Sequence, residues 1–218
     1  TKDNMRLALL QINDGDEIYL VDTVKIDKPN NDCSFLFSNS VLKIFHSCKE
    51  DLEAIFAWTN GQMVNIFDTQ LANALLNSNF SISYQGLVEE KIGVVLEKKE
   101  TRSNWLRRPL SDDQLKYAAL DVEYLNHLYE EQISELDKFN KIDWHKQDIE
   151  KLIKNTFCPH LINTDIPRTL PLSQENQILF NLNEIVQDIA KKENISPTLF
   201  FSKKTQKDFL RIILLKGL

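Results

Sequence analysis

Two short apolar runs, "LALLQI" at 7–12 and "IYLVD" at 18–22, flank the pair Asp14-Gly15. Glycine accepts the positive φ of a tight turn, and both runs have strand length, so the chain is expected to open with an antiparallel hairpin. Beyond the hairpin, strands and helices alternate. Residues 23–40 read as a loop with a short helix or turn. "VLKIFH" (41–46) is a β-branched, apolar third strand. "SCKEDLEAIFAWTN" (47–60) spaces Leu52, Ile55 and Phe56 on one helical face, with Gly61 as the stop. "NIFDT" (65–69) is a short buried strand whose Asp68 caps the helix "TQLANALLN". Residues 84–100 read as a helix and turn entering the extended loop "TRSNWLRRPLS". Ser111 then caps a helix running over 111–129, apolar at Leu115, Ala118, Ala119, Val122, Leu125 and Leu128, and a last amphipathic helix covers 143–157. Strands early and helices between and after them predict a mixed α/β sheet flanked by helices.

The stretch 158–172 holds three prolines and no helical period, so it reads as a linker between a domain at 1–157 and a small all-helical domain at 173–218. In the latter, Ser173 is expected to cap a helix striped by Ile178, Leu179, Leu182, Ile185, Val186 and Ile189. "ENISP" interrupts it, a second helix follows, and the chain is still apolar at Leu218, as an incomplete domain would be.

The totals narrow the setting. No run approaches the roughly 18 apolar residues of a membrane span, and "TKDNMRLALL" does not read as a signal peptide. Cys33, Cys48 and Cys158 are scattered and form no CxxC pair, so neither a zinc site nor a disulfide framework is expected and a reducing, cytoplasmic setting fits. Residues 1–150 carry 16 Lys and Arg against 26 Asp and Glu, a net −10, whereas 151–218 carry 10 against 6, a net +4. An acidic first part does not read as a nucleic-acid binder, unless some of its carboxylates hold divalent cations, which reverse the local charge.

Two acids stand out from the solvated majority. Asp121 lies in a helix apolar on both sides of it, with Tyr117 four residues earlier on the same face. Asp51 opens a helix just past the apolar strand that ends at His46, and sites in such sheets gather at strand ends. Each also has a structural reading: Asp121 as a buried acid with a partner, Asp51 as an acid favoured at a helix start, Tyr117 as a core tyrosine, His46 as a packed strand-end histidine.

"FHSCKEDLEAIF" resembles the second exonuclease motif of the ribonuclease D family, and "DTQLA" with "RPLSDDQLKYAALDVEYL" resembles its third-motif region. The resemblance covers about residues 5–150 in consistent order, and 173–218 resemble the start of the helical HRDC domain of that family. It implies a ribonuclease-H-like fold with a small all-α HRDC-like domain, and 3′–5′ exonuclease chemistry. Two divalent metals, Mg²⁺ or Mn²⁺, would be held by four carboxylates, with Asp51 and Asp121 among them and Tyr117 orienting the attacking water. Gln11, His46, Trp105 and Arg108 are the candidates for contact with the nucleic acid. Asn104 stands where the family usually has Asp.

The family's first motif, Asp-x-Glu on a strand, precedes the one corresponding to "LALLQI", and Thr1 is too close to that run to accommodate it. Asp51-Leu52-Glu53 and Asp121-Val122-Glu123 have the spacing, but on helices, where i and i+2 point about 200° apart. The expectation is therefore that the first strand and half of the metal ligands lie outside these 218 residues, and that this polypeptide alone is inactive. As implied by the resemblance, the substrate is structured RNA such as transfer-RNA precursors, with no membrane association and no stable protein partner. The rivals are a non-catalytic RNA-binding protein and a 3′–5′ DNA exonuclease of the same fold.

Overall fold

The structure, a computed structural model, describes residues 6–26, 29, 31–77, 81–97, 100–157 and 166–217. Cys158 and most of the proline-rich stretch lie outside them. The hairpin forms as read: β1 (Leu10–Asn13) pairs antiparallel with β2 (Ile18–Val21), Leu10 opposite Val21. Gly15 turns at φ 103, and Asp14 Oδ1 accepts the N–H groups of Asp16 and Glu17, closing the turn. A 3₁₀ helix (Asn31–Phe37) leads to β3 (Lys43–Phe45), α1 (Lys49–Thr59) and β4 (Ile66–Asp68), with β3 and β4 paired in parallel. The stop of α1 is Asn60 in the left-handed region, not Gly61. Gly61 instead leaves room for Phe37, whose ring atoms would stand 2.4 Å from a Cβ there.

The two strand pairs do not join. Among the described residues they are separate two-stranded sheets, not the single mixed sheet expected. Between them lies a cavity of about 520 Å³, lined by Leu10, Gln11, Ile12 and Asn13 on one side and by Lys43, Ile44 and Phe45 on the other, with Val122 and Leu125 also in its wall.

Helices α2 (Thr69–Leu76), α3 (Tyr84–Ile92), α4 (Asp112–Glu123), α5 (Leu125–Lys138) and α6 (Ile142–Phe157) cover the strands. One core joins α1 to the 3₁₀ helix and α6 through Leu36, Leu52, Ile55, Met63 and Ile149. A second holds Leu87, Val88, Leu125 and Leu128, and a third Phe67, Leu75 and Leu136.

The helix expected over 111–129 is broken at Tyr124. The buried Tyr84 hydroxyl sits in the helical ladder, donating to Leu120 O at 3.0 Å and accepting from Tyr124 N at 3.1 Å. A side chain inserted there breaks the direct bond between those two groups and bends the helix. Asn13 Nδ2 donates to the carbonyls of Val122 and Glu123, both at 3.1 Å, and so ties the hairpin to the end of α4. Leu115, expected in the apolar face, is 39% exposed.

Beyond residue 166 the chain folds into α7 (Leu172–Lys192), α8 (Pro197–Phe201) and α9 (Lys203–Lys216). The cap of α7 is Pro171, not Ser173, because the helix starts two residues earlier, at Leu172. Arg211 joins α9 to α7 through Glu175, 2.6 Å from Nε to Oε1. Of the expected stripe only Val186 is buried, while Ile178, Ile185 and Ile189 remain exposed. Buried Lys141 links this helical part to the rest. Its ammonium donates to Leu75 O (2.8 Å) and Glu193 O (2.7 Å), carbonyls at the C-terminal ends of α2 and α7, where a cation is favoured. Lys141→Met keeps the stem but strands both carbonyls. It is expected to lower stability by about 2 kcal/mol, read as a reduced urea midpoint at unchanged slope.

Candidate active site

Asp68 organises this end of the molecule. It is 3% exposed. Its carboxylate accepts four backbone N–H groups: Oδ1 takes those of Ser47, Gln70 and Leu71 at 2.9–3.1 Å, and Oδ2 takes that of Cys48 at 2.8 Å. The sequence indicated only a cap for α2. The same side chain also holds the turn from β3 into α1, where Ser47 adopts φ 64 and successive N–H groups converge on an anion. Helix α1 has no side-chain cap of its own, so Asp68 fixes its start and with it the position of Asp51.

Asp51 lies in the first turn of α1, open to water yet closely surrounded by protein. Burial, then the charges of Asp68 and Glu50, raise its pKa from 3.8 to about 6. Asp121, half-buried in the last turn of α4, is raised to about 6 by burial and by the charge of Asp51. The structure thus brings these two acids of separate elements into one electrostatic site. Among the described residues nothing donates a hydrogen bond to the Asp121 carboxylate. Two carboxylates kept from their usual ionisation by burial and by neighbouring acids, Asp68 and Glu50 for Asp51 and Asp51 for Asp121, are what a cation would relieve. They fit one side of a metal site only, since no cluster of three or more His, Cys, Asp or Glu able to hold a metal occurs among the described residues.

Tyr117 is on α4, one turn before Asp121. Its hydroxyl lies 3.2 Å from Thr101 Oγ1 and accepts from Gln85 Nε2 at 3.4 Å, and its ring is 6.0 Å from that of Trp105. His46 has both ring nitrogens engaged. Burial lowers its pKa; Nε2 donates to Ile82 O at 3.0 Å and Nδ1 meets Thr69 Oγ1 at 2.9 Å. Its ring packs edge-on against Tyr84 at 5.8 Å. Arg108 is likewise engaged inside the protein: Nη2 reaches Asp22 Oδ1 at 2.6 Å, Nε reaches Oδ2 at 2.8 Å, and the carbonyls of Ala8, Trp105 and Arg107 take further N–H groups. This guanidinium pins the loop before α4 to the hairpin. Gln11 is half-buried in β1, on the wall of the cavity between the sheets.

The 3′–5′ exonuclease family profile matches residues 1–137. The chain belongs to the 3′–5′ exonuclease family. Within it the chain is similar to ribonuclease D: 40% identical over 149 residues to that of Xanthomonas oryzae pv. oryzae, covering 68% of this chain and 41% of the relative. It is 35% identical over 147 residues to that of Shewanella sp. (strain ANA-3), covering 67% and 38%. The chain thus spans about two-fifths of the length of the curated relatives it matches. In fold it resembles the crystal structure of Escherichia coli RNase D, an exoribonuclease involved in structured RNA processing, at a TM-score of 0.66 and 24% identity over 95% of this chain and 56% of the other. Brucella melitensis NrnC with bound Mg²⁺ superposes at a TM-score of 0.64, with 23% identity over 76% and 83%.

The residues that motif reading missed are Asn13, Tyr84 and Gln85, which reach α4 from elements distant in sequence, and Thr101, on the loop that leads into it. No local pattern marks them.

Proposed function

We propose that this chain belongs to a 3′–5′ exoribonuclease of the ribonuclease D type, acting on structured RNA such as transfer-RNA precursors in the cytoplasm. The observation that carries the reading is the pair Asp51 on α1 and Asp121 on α4, each raised to about 6, with the Asp51 charge felt at Asp121. In this reading the two carboxylates hold divalent metal, Mg²⁺ or Mn²⁺. Two such ions, when bound, supply an activated water and stabilise the attacking and leaving oxygens of the phosphodiester. Tyr117 would orient that water through its hydroxyl. The presence of Mg²⁺ and of the dinucleotide pGG in structures of Brucella melitensis NrnC supports both ligand classes.

The remaining carboxylates are proposed to enter on one extended strand occupying the cavity between β1 and β3, where the facing strand edges have no partner among the described residues. Alternating residues on that strand would share a face, as an Asp-x-Glu pair requires. The division into a nuclease domain at 1–157, a linker at 158–172 and an HRDC-like domain at 173–218 belongs to the same proposal. No helix among the described residues is long and apolar enough to cross a membrane.

A second reading, a non-catalytic RNA-binding protein of this fold, draws on the absence of a three-ligand cluster among the described residues. The test is Mn²⁺-dependent release of nucleoside monophosphates from the 3′ end of a labelled transfer-RNA precursor by the full-length protein, beside Asp121→Ala. Trimming by the parent alone supports the enzyme. A folded parent as inactive as its variant leaves the binding module. Equal or faster trimming of the matching DNA strand would move the substrate class to DNA.

A further inference from the structure

The first turn of α3 reads α4 twice. Tyr84 enters the ladder beside Asp121, and its neighbour Gln85 reaches the Tyr117 hydroxyl one turn earlier. Thr101 approaches the same hydroxyl at 3.2 Å from the opposite side of the sequence, on the loop that leads into α4. That loop is held at three points. Arg108 ties it to Asp22 and Ala8 O. Gln114 ties it to Ser103 Oγ at 3.0 Å, and Ser111 caps α4 in a reciprocal capping box with Gln114. A loop anchored so fully delivers a threonine hydroxyl to one place.

We infer that Gln85 and Thr101 are positioning residues that aim the Tyr117 hydroxyl for the reaction. This rests on the exonuclease reading of Tyr117 and goes beyond it, to what orients the phenol. A phenol turns about its Cβ–Cγ bond, and its O–H rotates about C–O. Gln85 presents its Nε2, a donor, to the phenol oxygen, so this bond fixes a lone-pair direction and leaves the phenol proton to the other side. Thr101 Oγ1 receives or supplies the remaining hydrogen bond. The two partners come from different elements, so they fix the oxygen in space and not merely along one arc. Neither touches Asp51 or Asp121. Their loss should therefore lower turnover without weakening the hold on RNA.

The experiment uses the full-length protein and measures kcat and KM for Thr101→Val, Thr101→Ser, Gln85→Leu, Tyr117→Phe and Thr101→Val/Tyr117→Phe. Thr101→Val is expected to lower kcat roughly 10-fold at unchanged KM, short of the 10²-fold that a misplacement of about 1 Å can cost. Thr101→Ser should restore it, and the double variant should be no slower than Tyr117→Phe, because residues acting through one group are not additive. A second readout needs no metal: the ¹⁹F resonance of 3-fluorotyrosine at position 117 should move in Thr101→Val and Gln85→Leu and return in Thr101→Ser. An unmoved resonance, an effect on KM alone, or an equal further loss in the Tyr117→Phe background overturns the inference. Full activity in Tyr117→Phe overturns it together with the reading of Tyr117, whereas a slow Tyr117→Phe beside an unchanged Thr101→Val overturns the inference alone.

Discussion

Asp121→Asn in the full-length protein is expected to cut 3′ trimming by on the order of 10³ while making the fold more stable at neutral pH. Both effects come from one cause. Asp121 sits at about 6 against an ordinary 3.8, first because burial penalises its charge and then because Asp51 is near. A carboxylate raised in the folded state binds its proton more tightly there than in the unfolded chain. Its favourable contribution is whole below about pH 4 and is lost as pH rises through about 6. At pH 7.5 the folded state carries a desolvated charge that asparagine removes. Discounted for its partial exposure, the gain is about 1–2 kcal/mol, and it should vanish at pH 4. Thermal unfolding of parent and variant at the two pH values checks this. Mn²⁺ should raise the melting temperature of the parent at pH 7.5 and leave that of Asp121→Asn nearly unmoved. A variant less stable than its parent at pH 7.5 would show Asp121 to be a structural acid with a partner, and the metal role would fall.

The largest loss of stability is expected at Asp68. Alanine there leaves the N–H groups of Ser47, Cys48, Gln70 and Leu71 without their acceptor at the junction of four elements. Each unpaired buried donor carries a desolvation penalty, so with partial relaxation the cost is about 4 kcal/mol. Asparagine is the instructive variant. Its Oδ1 still serves Ser47, Gln70 and Leu71, but its amide nitrogen then faces Cys48 N, donor against donor. That variant should cost about 2 kcal/mol. It also removes a charge that raises Asp51, so the Asp51 pKa should fall, which NMR titration of the side-chain carboxyl would read. Equal midpoints for Asp68→Ala and parent in urea would show that water replaces the carboxylate in this turn.

Much of this was legible because it is local. The hairpin announces itself in Asp14-Gly15 between two apolar runs. The Ser111 cap on α4, the Asp68 cap on α2 and the helical spacing of Leu52 and Ile55 all lie within a few residues. Asp51 and Asp121 stood out as acids in apolar settings, and in the fold burial raises both of them. What failed depends on contacts across the chain. The helix over 111–129 has nothing in its own sequence to stop it at Tyr124; the interruption comes from Tyr84, 40 residues away. Arg108, on a loop with Trp105, was open to phosphate contact or to loop packing, and Asp22, 86 residues away, now occupies its guanidinium. The exposed isoleucines of α7 show that an amphipathic stripe states a need for cover, not what supplies it.

The separation of the sheets bears on how the site comes together in time. The β1–β2 hairpin and α4 form one unit, since α4 packs on both strands and Asn13 holds its end. The unit β3–α1–β4 is another, closed by its own parallel pairing and by Asp68. Asp121 belongs to the first and Asp51 to the second. Partial opening that parts these units would take the carboxylates away from each other while each unit keeps its secondary structure. Hydrogen exchange should then show β1 and α4 losing protection together, ahead of α1 and β4. The reactive centre would be the last thing assembled and the first thing dismantled, with the rest of the molecule still folded.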